Sequence, residues 1–243
     1  MGEINLNGIF DIHSHILPEV DDGARDMEQT RRMLNIAYQE GIRGMIATPH
    51  FTAGYRTTDN LVLDQLKNRV AEIAPEGFQV FLGNELFYGS GVLEALGRGT
   101  ALTLAGTRYV LVEYFPEVRY TEINKSIREL QGSGYLPVIA HVERYHCLWK
   151  HPEQVGELIQ TGAYIQMNYA SFGSSWFKPI EHFCRRLFDR NWVHFLGTDT
   201  HDTASRGPYV NKALSHMIKS YGYDFVHTLV CENPKRLLEN KHL

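Results

Sequence analysis

The chain has 243 residues, 43% hydrophobic and 21% charged, with a formal net charge of −4; this composition suits one α/β domain over 1–243 and gives no electrostatic reason to expect nucleic acid as a partner. Its three cysteines, Cys147, Cys184 and Cys231, form no CxxC pair and are odd in number, which argues against a disulfide framework and fits a reducing compartment. With no run of about 18 apolar residues and no signal-peptide core at the start, a cytoplasmic protein without membrane insertion is the default expectation.

The chain alternates short β-rich runs with longer helical ones. Gly8 to Ile12 reads as a strand, followed by a helix over Met27 to Gln39, where Met27, Thr30, Leu34 and Ala37 recur at helical spacing and Gly41 stops the run. Gly44 to Ala47 is the second strand, Asn60 to Ile73 a helix, and Phe78 to Leu82 the third strand. A short helix near Gly91 to Leu96 and a small extra strand at Ala101 to Leu104 come next. Tyr109 to Val112 is the fourth strand, Thr121 to Gln131 a helix closed by Gly132, and Leu136 to Ala140 the fifth strand. Pro152 to Gln160 is a helix with proline at its start. Ala163 to Met167 is the sixth strand, Trp176 to Arg190 a helix, and Val193 to Leu196 the seventh strand. Helices fill Gly207 to Tyr221, Asp224 to Val230 and Pro234 to Asn240. Such βα units in series imply a parallel sheet, and this many of them favour a closed barrel over an open doubly wound sheet. No GxGxxG follows the first strand, which argues against dinucleotide binding.

The polar residues behind the strands carry the functional reading. His13 and His15, then Asp21 and Asp22, follow the first strand; His50 the second; Glu85 the third; Glu113 the fourth; His141 and Arg144 the fifth; Asn168 the sixth; Asp199, His201 and Arg206 the seventh. In an α/β barrel these strand ends share one face, and that face hosts the active site. Residues i and i+2 of an extended chain point the same way, so His13-Ser14-His15 and Asp199-Thr200-His201 each offer paired side chains. Imidazole and carboxylate without thiolate suit manganese, iron or zinc, and so many ligands imply more than one ion. Singly, each has an ordinary reading. Asp22 could cap the helix near Asp26, Glu113 or Asn168 could be solvated strand ends, and Asp199 could pair with an arginine. Those readings do not explain why every case falls at the same end of successive strands. His146, His151, His182, His216, His227 and His242 sit on helices or turns and read as surface groups or as groups behind the site, and His194 reads as a hydrogen-bonded core histidine. Cys184 and Arg190 have the spacing of cysteine-dependent phosphatases, but Arg185 to Asp189 between them is bulky and helix-compatible, not a phosphate-wrapping loop.

Several segments resemble one family. Asp11-Ile12-His13-Ser14-His15 followed by Asp21-Asp22-Gly23 is similar to the opening motif of the bacterial PHP-superfamily protein-tyrosine phosphatases, the CpsB/YwqE-like enzymes of capsule and exopolysaccharide synthesis. Ala47 to His50, Gly83 to Glu85, Glu113, Ile139 to Tyr145 and Thr198 to His201 fit the later motifs in order, over almost the whole chain. Phe51 stands where a second histidine often follows. The resemblance implies a distorted (β/α)7 barrel with three divalent ions, manganese favoured. It puts His13, His15, Glu85 and Asp199 on a first ion, Glu85 bridging to a second with Glu113 and His141, and Asp22, His50 and His201 on a third. Arg144 and Arg206 match the phosphate-binding arginines. The implied activity is hydrolysis of phosphotyrosine, on the tail of a bacterial tyrosine autokinase, by a hydroxide held between two cations. Competing readings are a small-molecule phosphatase such as histidinol phosphatase, a C–N hydrolase of the amidohydrolase type and a non-catalytic partner. The Asp-Asp-Gly and Arg-Tyr patterns, Glu113 in place of a bridging lysine, and the complete ligand set argue against them in turn.

Overall fold

In chain order the first half holds β1 (Ile9–Ser14), α1 (Met27–Gln39), β2 (Ile42–Ala47), β3 (His50–Phe51), α2 (Asn60–Ile73), β4 (Gln79–Leu82), β5 (Glu85–Phe87), α3 (Val92–Gly97), β6 (Tyr109–Glu113) and α4 (Tyr120–Gly132). The second half holds β7 (Leu136–Ile139), α5 (His146–Trp149), α6 (Glu153–Gln160), β8 (Tyr164–Asn168), α7 (Lys178–Asp189), β9 (Phe195–Gly197), α8 (Asn211–Tyr221), α9 (Tyr223–His227), a π turn over Thr228–Glu232 and α10 (Asn233–Leu238). This is a computed structural model, and it describes residue 6 and residues 8–172 and 178–243.

All the strand pairs are parallel. One sheet has the order β1-β2-β4 and the other β3-β5-β6-β7-β8-β9. The sheets are joined along both edges. β2 runs into β3 across Thr48-Pro49 and β4 into β5 across Gly83-Asn84, where Gly83 N–H donates to Ala47 O at 2.9 Å and Glu85 N–H to Pro49 O at 3.2 Å. At the other edge Asp199 N–H donates to His13 O and His15 N–H to Thr200 O, both at 2.9 Å. Strands such as β6 and β7 are buried along nearly their whole length, as a parallel sheet covered by helices requires.

Helix starts are set locally. Asp26 caps α1 by accepting from Gln29 N–H at 2.7 Å, and Asp59 caps α2 by accepting from Leu61 N–H at 2.8 Å. Each helix turns an apolar stripe inward: Met33, Leu34 and Ala37 from α1, and Ile123, Ile127 and Leu130 from α4. Phe183, Leu187 and Phe188 of α7 are buried.

Three expectations are corrected. Ala101 to Leu104 is not a strand. Leu102 N–H is taken by the Asn84 side chain at 2.8 Å, and a 3-10 turn at Leu104–Gly106 follows with Ala105 left-handed at φ 51°. The helix expected from Gly207 starts at Asn211, where Glu40 accepts from the N–H groups of Val210 and Asn211 at 2.9 and 2.7 Å. The helix expected over Asp224 to Val230 ends at His227 and widens into the π turn. The helix expected from Trp176 is described from Lys178; its first two residues lie outside the described residues.

Candidate metal centre

The strand ends bring histidines and carboxylates together. His13 and His15 leave the end of β1 and its next residue, His50 opens β3 and Glu85 opens β5. Glu113 closes β6, His141 lies two residues past β7, and Asp199 and His201 lie just past β9. His141 and Asp199 are left-handed, at φ 31° and 52°. A non-glycine residue held there costs about 1–3 kcal/mol, a strain that recurs where a site demands a side-chain direction.

The donor atoms form three overlapping groups whose members lie within 4.8 Å of one another: His13, His15, Glu85 and Asp199; His50, Glu85 and Glu113; and His15, His50 and His201. In the first group His13 Nε2 is 3.2 Å from Glu85 Oε2 and 3.6 Å from Asp199 Oδ1, and His15 Nε2 is 3.3 and 3.5 Å from the same atoms. Ligand atoms about 2.1 Å from a common ion lie roughly 3.0–3.4 Å apart, so this spacing accepts a cation. Glu85 belongs to two groups. Its Oε2 is 3.0 Å from His50 Nδ1 and its Oε1 is 2.7 Å from His141 Nε2, while Glu113 Oε1 lies 3.0 Å from His50 Nδ1. Asp22 is over half exposed and falls outside the three groups, yet its two oxygens lie 3.3 Å from His50 Nε2 and 3.6 Å from His201 Nε2. Asp22 does not cap α1, since Asp26 does. Arg144 and Arg206 both reach Asp199, Arg206 at 3.1 Å, and each keeps about two fifths of its side chain exposed.

The imidazoles and carboxylates stabilise each other's charged forms against the cost of burial. Burial alone would push the His13 and His15 pKa values down, but Glu85 and Asp199 hold both above the usual imidazole value, with Asp21 adding to the rise at His15. His50, against the same burial cost, is raised to about 10 by Glu113 and Glu85. Burial opposes ionisation of Glu85 and Asp199, yet the imidazoles, and Arg144 at Asp199, hold both well below the carboxylate range. Burial and the nearby His15 lower His201 to about 4. Glu85 Oε2 and His201 Nε2 are two of six buried side-chain atoms among the described residues that have no hydrogen-bond partner. Buried polar atoms of this kind are rarely left so, and both point into the donor groups. The residues therefore fit divalent cations on donor chemistry, spacing and unmet valence.

A supporting layer was missed in the sequence. Asp21, not Asp22, accepts from the N–H groups of Gly23 and His50 and lies 2.7 Å from His15 Nδ1. Gly23 is needed because a Cβ there would lie 2.2 Å from His15 O. Gln166 Oε1 faces His13 Nδ1 at 3.1 Å and accepts from His141 N–H at 2.8 Å; its amide donates to Asn168, whose own amide donates to Asp199 at 3.0 Å. These contacts fix which ring nitrogen faces the donor groups. Asp11, buried and raised to about 6, accepts from His13 N–H and Thr198 N–H and ties β1 to the chain past β9. The alternating His-x-His pattern could have exposed Asp11; nothing local marks Gln166. Arg56 lies 3.7 Å from Asp22, in the loop after Phe51. The remaining histidines lie away from the cluster, and His194 accepts from Ile165 N–H at 3.1 Å, with burial lowering it to about 4. Cys184 is buried in α7 and its thiol is pushed up, the reverse of a phosphatase nucleophile.

Fold and site together define a parallel α/β protein with a histidine and carboxylate cluster at its strand ends whose donor groups could hold metal ions. The family model for capsular polysaccharide synthesis, CpsB/CapC, matches residues 9–239, and the chain belongs to that family. It is 34% identical over 240 residues to the tyrosine-protein phosphatase YwqE of Bacillus subtilis (strain 168), covering 96% of this chain and 92% of that one. It is 32% identical over 238 residues to the tyrosine-protein phosphatase CpsB of Streptococcus pneumoniae, covering 95% and 98%. A crystal structure from work on these two, described as unique metal-dependent tyrosine phosphatases, superposes with a TM-score of 0.88 at 30% identity over 97% of this chain and 96% of that one.

Proposed function

We propose that this chain is a metal-dependent protein-tyrosine phosphatase acting in capsule or exopolysaccharide synthesis. The observation that carries the reading is the pair of donor groups that share Glu85, His13-His15-Glu85-Asp199 and His50-Glu85-Glu113. The family and its tyrosine-phosphatase relatives supply the substrate class.

The nine strand segments are read as seven barrel strands, since β2 with β3 and β4 with β5 each make one interrupted strand and β1 bonds to the chain past β9. The single domain is then a distorted (β/α)7 barrel of PHP type with its centre at the C-terminal strand ends. His13, His15, Glu85 and Asp199 would hold one cation; Glu85, Glu113 and His141 a second; Asp22, His50 and His201 a third. Manganese is favoured, with iron and zinc compatible. Bound there, the cations would polarise phosphoryl oxygens and lower the pKa of water toward neutrality.

The chain's own groups do the rest. Glu85 carries its negative charge among four imidazoles, which keeps the donor set compact. Gln166 and Asp21 hold His13 and His15 with their Nε2 atoms facing Glu85 and Asp199. Arg144 and Arg206 present planar donors at the mouth, suited to two non-bridging phosphoryl oxygens. A tyrosyl phenol, with pKa about 10, leaves with little acid help. The substrate is assigned as the phosphorylated tail of a bacterial tyrosine autokinase and the compartment as the cytoplasm. Three free cysteines agree with a reducing setting, and among the described residues no helix is long and apolar enough to cross a membrane.

The test is kcat/KM on a phosphotyrosine peptide against histidinol phosphate with metal-replete enzyme. A preference for the peptide is expected; a preference for histidinol phosphate would overturn the reading.

A further inference from the structure

A groove of about 860 Å³ opens between the segment after β5, the segment after β6 and α4. Phe87, Tyr114, Phe115 and Val118 give it apolar walls. The polar atoms of its floor are already engaged: Tyr88 donates to Glu129 at 2.7 Å, and Tyr114 and Ser126 share a hydrogen bond of 2.6 Å. The tyrosine and Ser126 hydroxyls of the floor are thus taken, and the aromatic walls offer ring faces.

None of the donor residues lines the groove, but two of its aromatic walls stand just past strand ends that carry donors. Residues i and i+2 of an extended chain share a side, and Phe87 lies two residues past Glu85, as Phe115 does past Glu113. Phe87 also stands opposite Glu113 in the sheet register. The two phenyl rings meet edge to face at 4.5 Å, and Phe115 is 67% exposed. Two strand residues rise about 6.6 Å, comparable to the reach of a tyrosyl side chain. A polypeptide whose phosphotyrosine reaches the centre would thus leave it at the level of these rings, where the groove begins.

The rim is acidic. Arg119 pairs with Glu122, and Lys125 lies 3.7 Å from Glu129, but no ion pair among the described residues engages Glu117. We propose that this groove is the subsite for the substrate residues beside the phosphotyrosine, taking a large apolar side chain against Phe87 and Phe115 and a basic neighbour facing Glu117. The inference rests on the phosphotyrosine reading.

The test compares phosphotyrosine peptides carrying Leu or Ala at the flanking positions, each with Arg or Glu beside it, and p-nitrophenyl phosphate as a check of the chemistry. Wild type should prefer Leu over Ala about tenfold in kcat/KM, mainly through KM. Phe115→Ala should bring that ratio close to one, and Glu117→Lys should shift the Arg-over-Glu preference severalfold toward Glu. Equal use of Leu and Ala peptides by wild type, or a ratio unchanged in Phe115→Ala, overturns the proposal. If wild type hydrolyses neither the peptides nor p-nitrophenyl phosphate, the phosphatase reading fails. Binding of the same peptides with a non-hydrolysable phosphonate in place of the phosphate then decides the groove separately: a Leu preference lost in Phe115→Ala keeps it, and no preference removes it.

Discussion

Gln166→Met isolates the supporting layer from the donor atoms themselves. Methionine keeps the volume of a fully buried side chain and removes its amide. The His141 N–H and Asn168 Oδ1 then lose their partners at 2.8 Å, and His13 Nδ1 loses its neighbour at 3.1 Å. A buried polar group left unpaired costs about 1–3 kcal/mol, so two of them cost about 2–6 kcal/mol. For a chain of this size that lowers Tm by roughly 5–15 °C. Removing such an outer partner of a metal ligand also weakens metal affinity or activity about ten- to a hundredfold. Differential scanning calorimetry of the metal-free protein reads the first effect; metal titration by calorimetry and p-nitrophenyl phosphate turnover read the second. A variant with wild-type Tm, metal affinity and turnover would refute the assignment of Gln166 as a positioning residue.

Further outcomes follow from the same contacts. Gly23→Ala places a Cβ 2.2 Å from a backbone oxygen of His15, so His15 must move; activity should fall at least tenfold, and kinetics on a folded variant with wild-type turnover would contradict this. Arg144→Lys and Arg206→Lys keep charge but lose the planar fork, so KM for phosphopeptide should rise about tenfold or more while metal content stays constant; an unchanged KM would remove both from phosphate recognition. His50, raised from 6.5 to about 10 in the metal-free cluster, contributes stability that is full below pH 6.5 and lost as pH rises through about 10. Tm in chelator should therefore fall between pH 6.5 and 10, while the metal-loaded protein, whose ligands no longer titrate, should change less. A metal-free Tm that stays flat or rises across that window would count against the cluster's charge assignment.

The legible part of the site was periodic. Strand ends repeat, and the residues behind them alternate, so His13, His15, Glu85, Glu113 and Asp199 could be read together before any coordinates. The supporting layer was not legible in this way. Gln166 sits inside β8 in an apolar run, and it meets His13 only because β9 pairs with β8 on one side and the chain past β9 bonds to β1 on the other. Asp21 and Asp22 look equivalent in sequence; the close packing at Gly23 turns the first toward His15 and leaves the second outward. In the fold, Ala101 to Leu104 has the composition of a strand, but Asn84 captures its backbone first. The breaks at Thr48-Pro49 and Gly83-Asn84 escaped the sequence reading because the second halves, β3 and β5, are only two and three residues long.

The donor groups around Glu85 are proposed to hold the cations that make this chain hydrolyse phosphotyrosine. The most direct measurement is phosphotyrosine-peptide turnover and bound-metal content on one sample of wild type and of Asp199→Ala, before and after chelation and manganese re-addition. Wild type should carry about three ions per chain, lose them and its activity together, and regain both. Asp199→Ala should stay folded, hold less metal and be nearly inactive after re-addition. Full turnover by the chelated wild type, or by Asp199→Ala, would contradict the proposal.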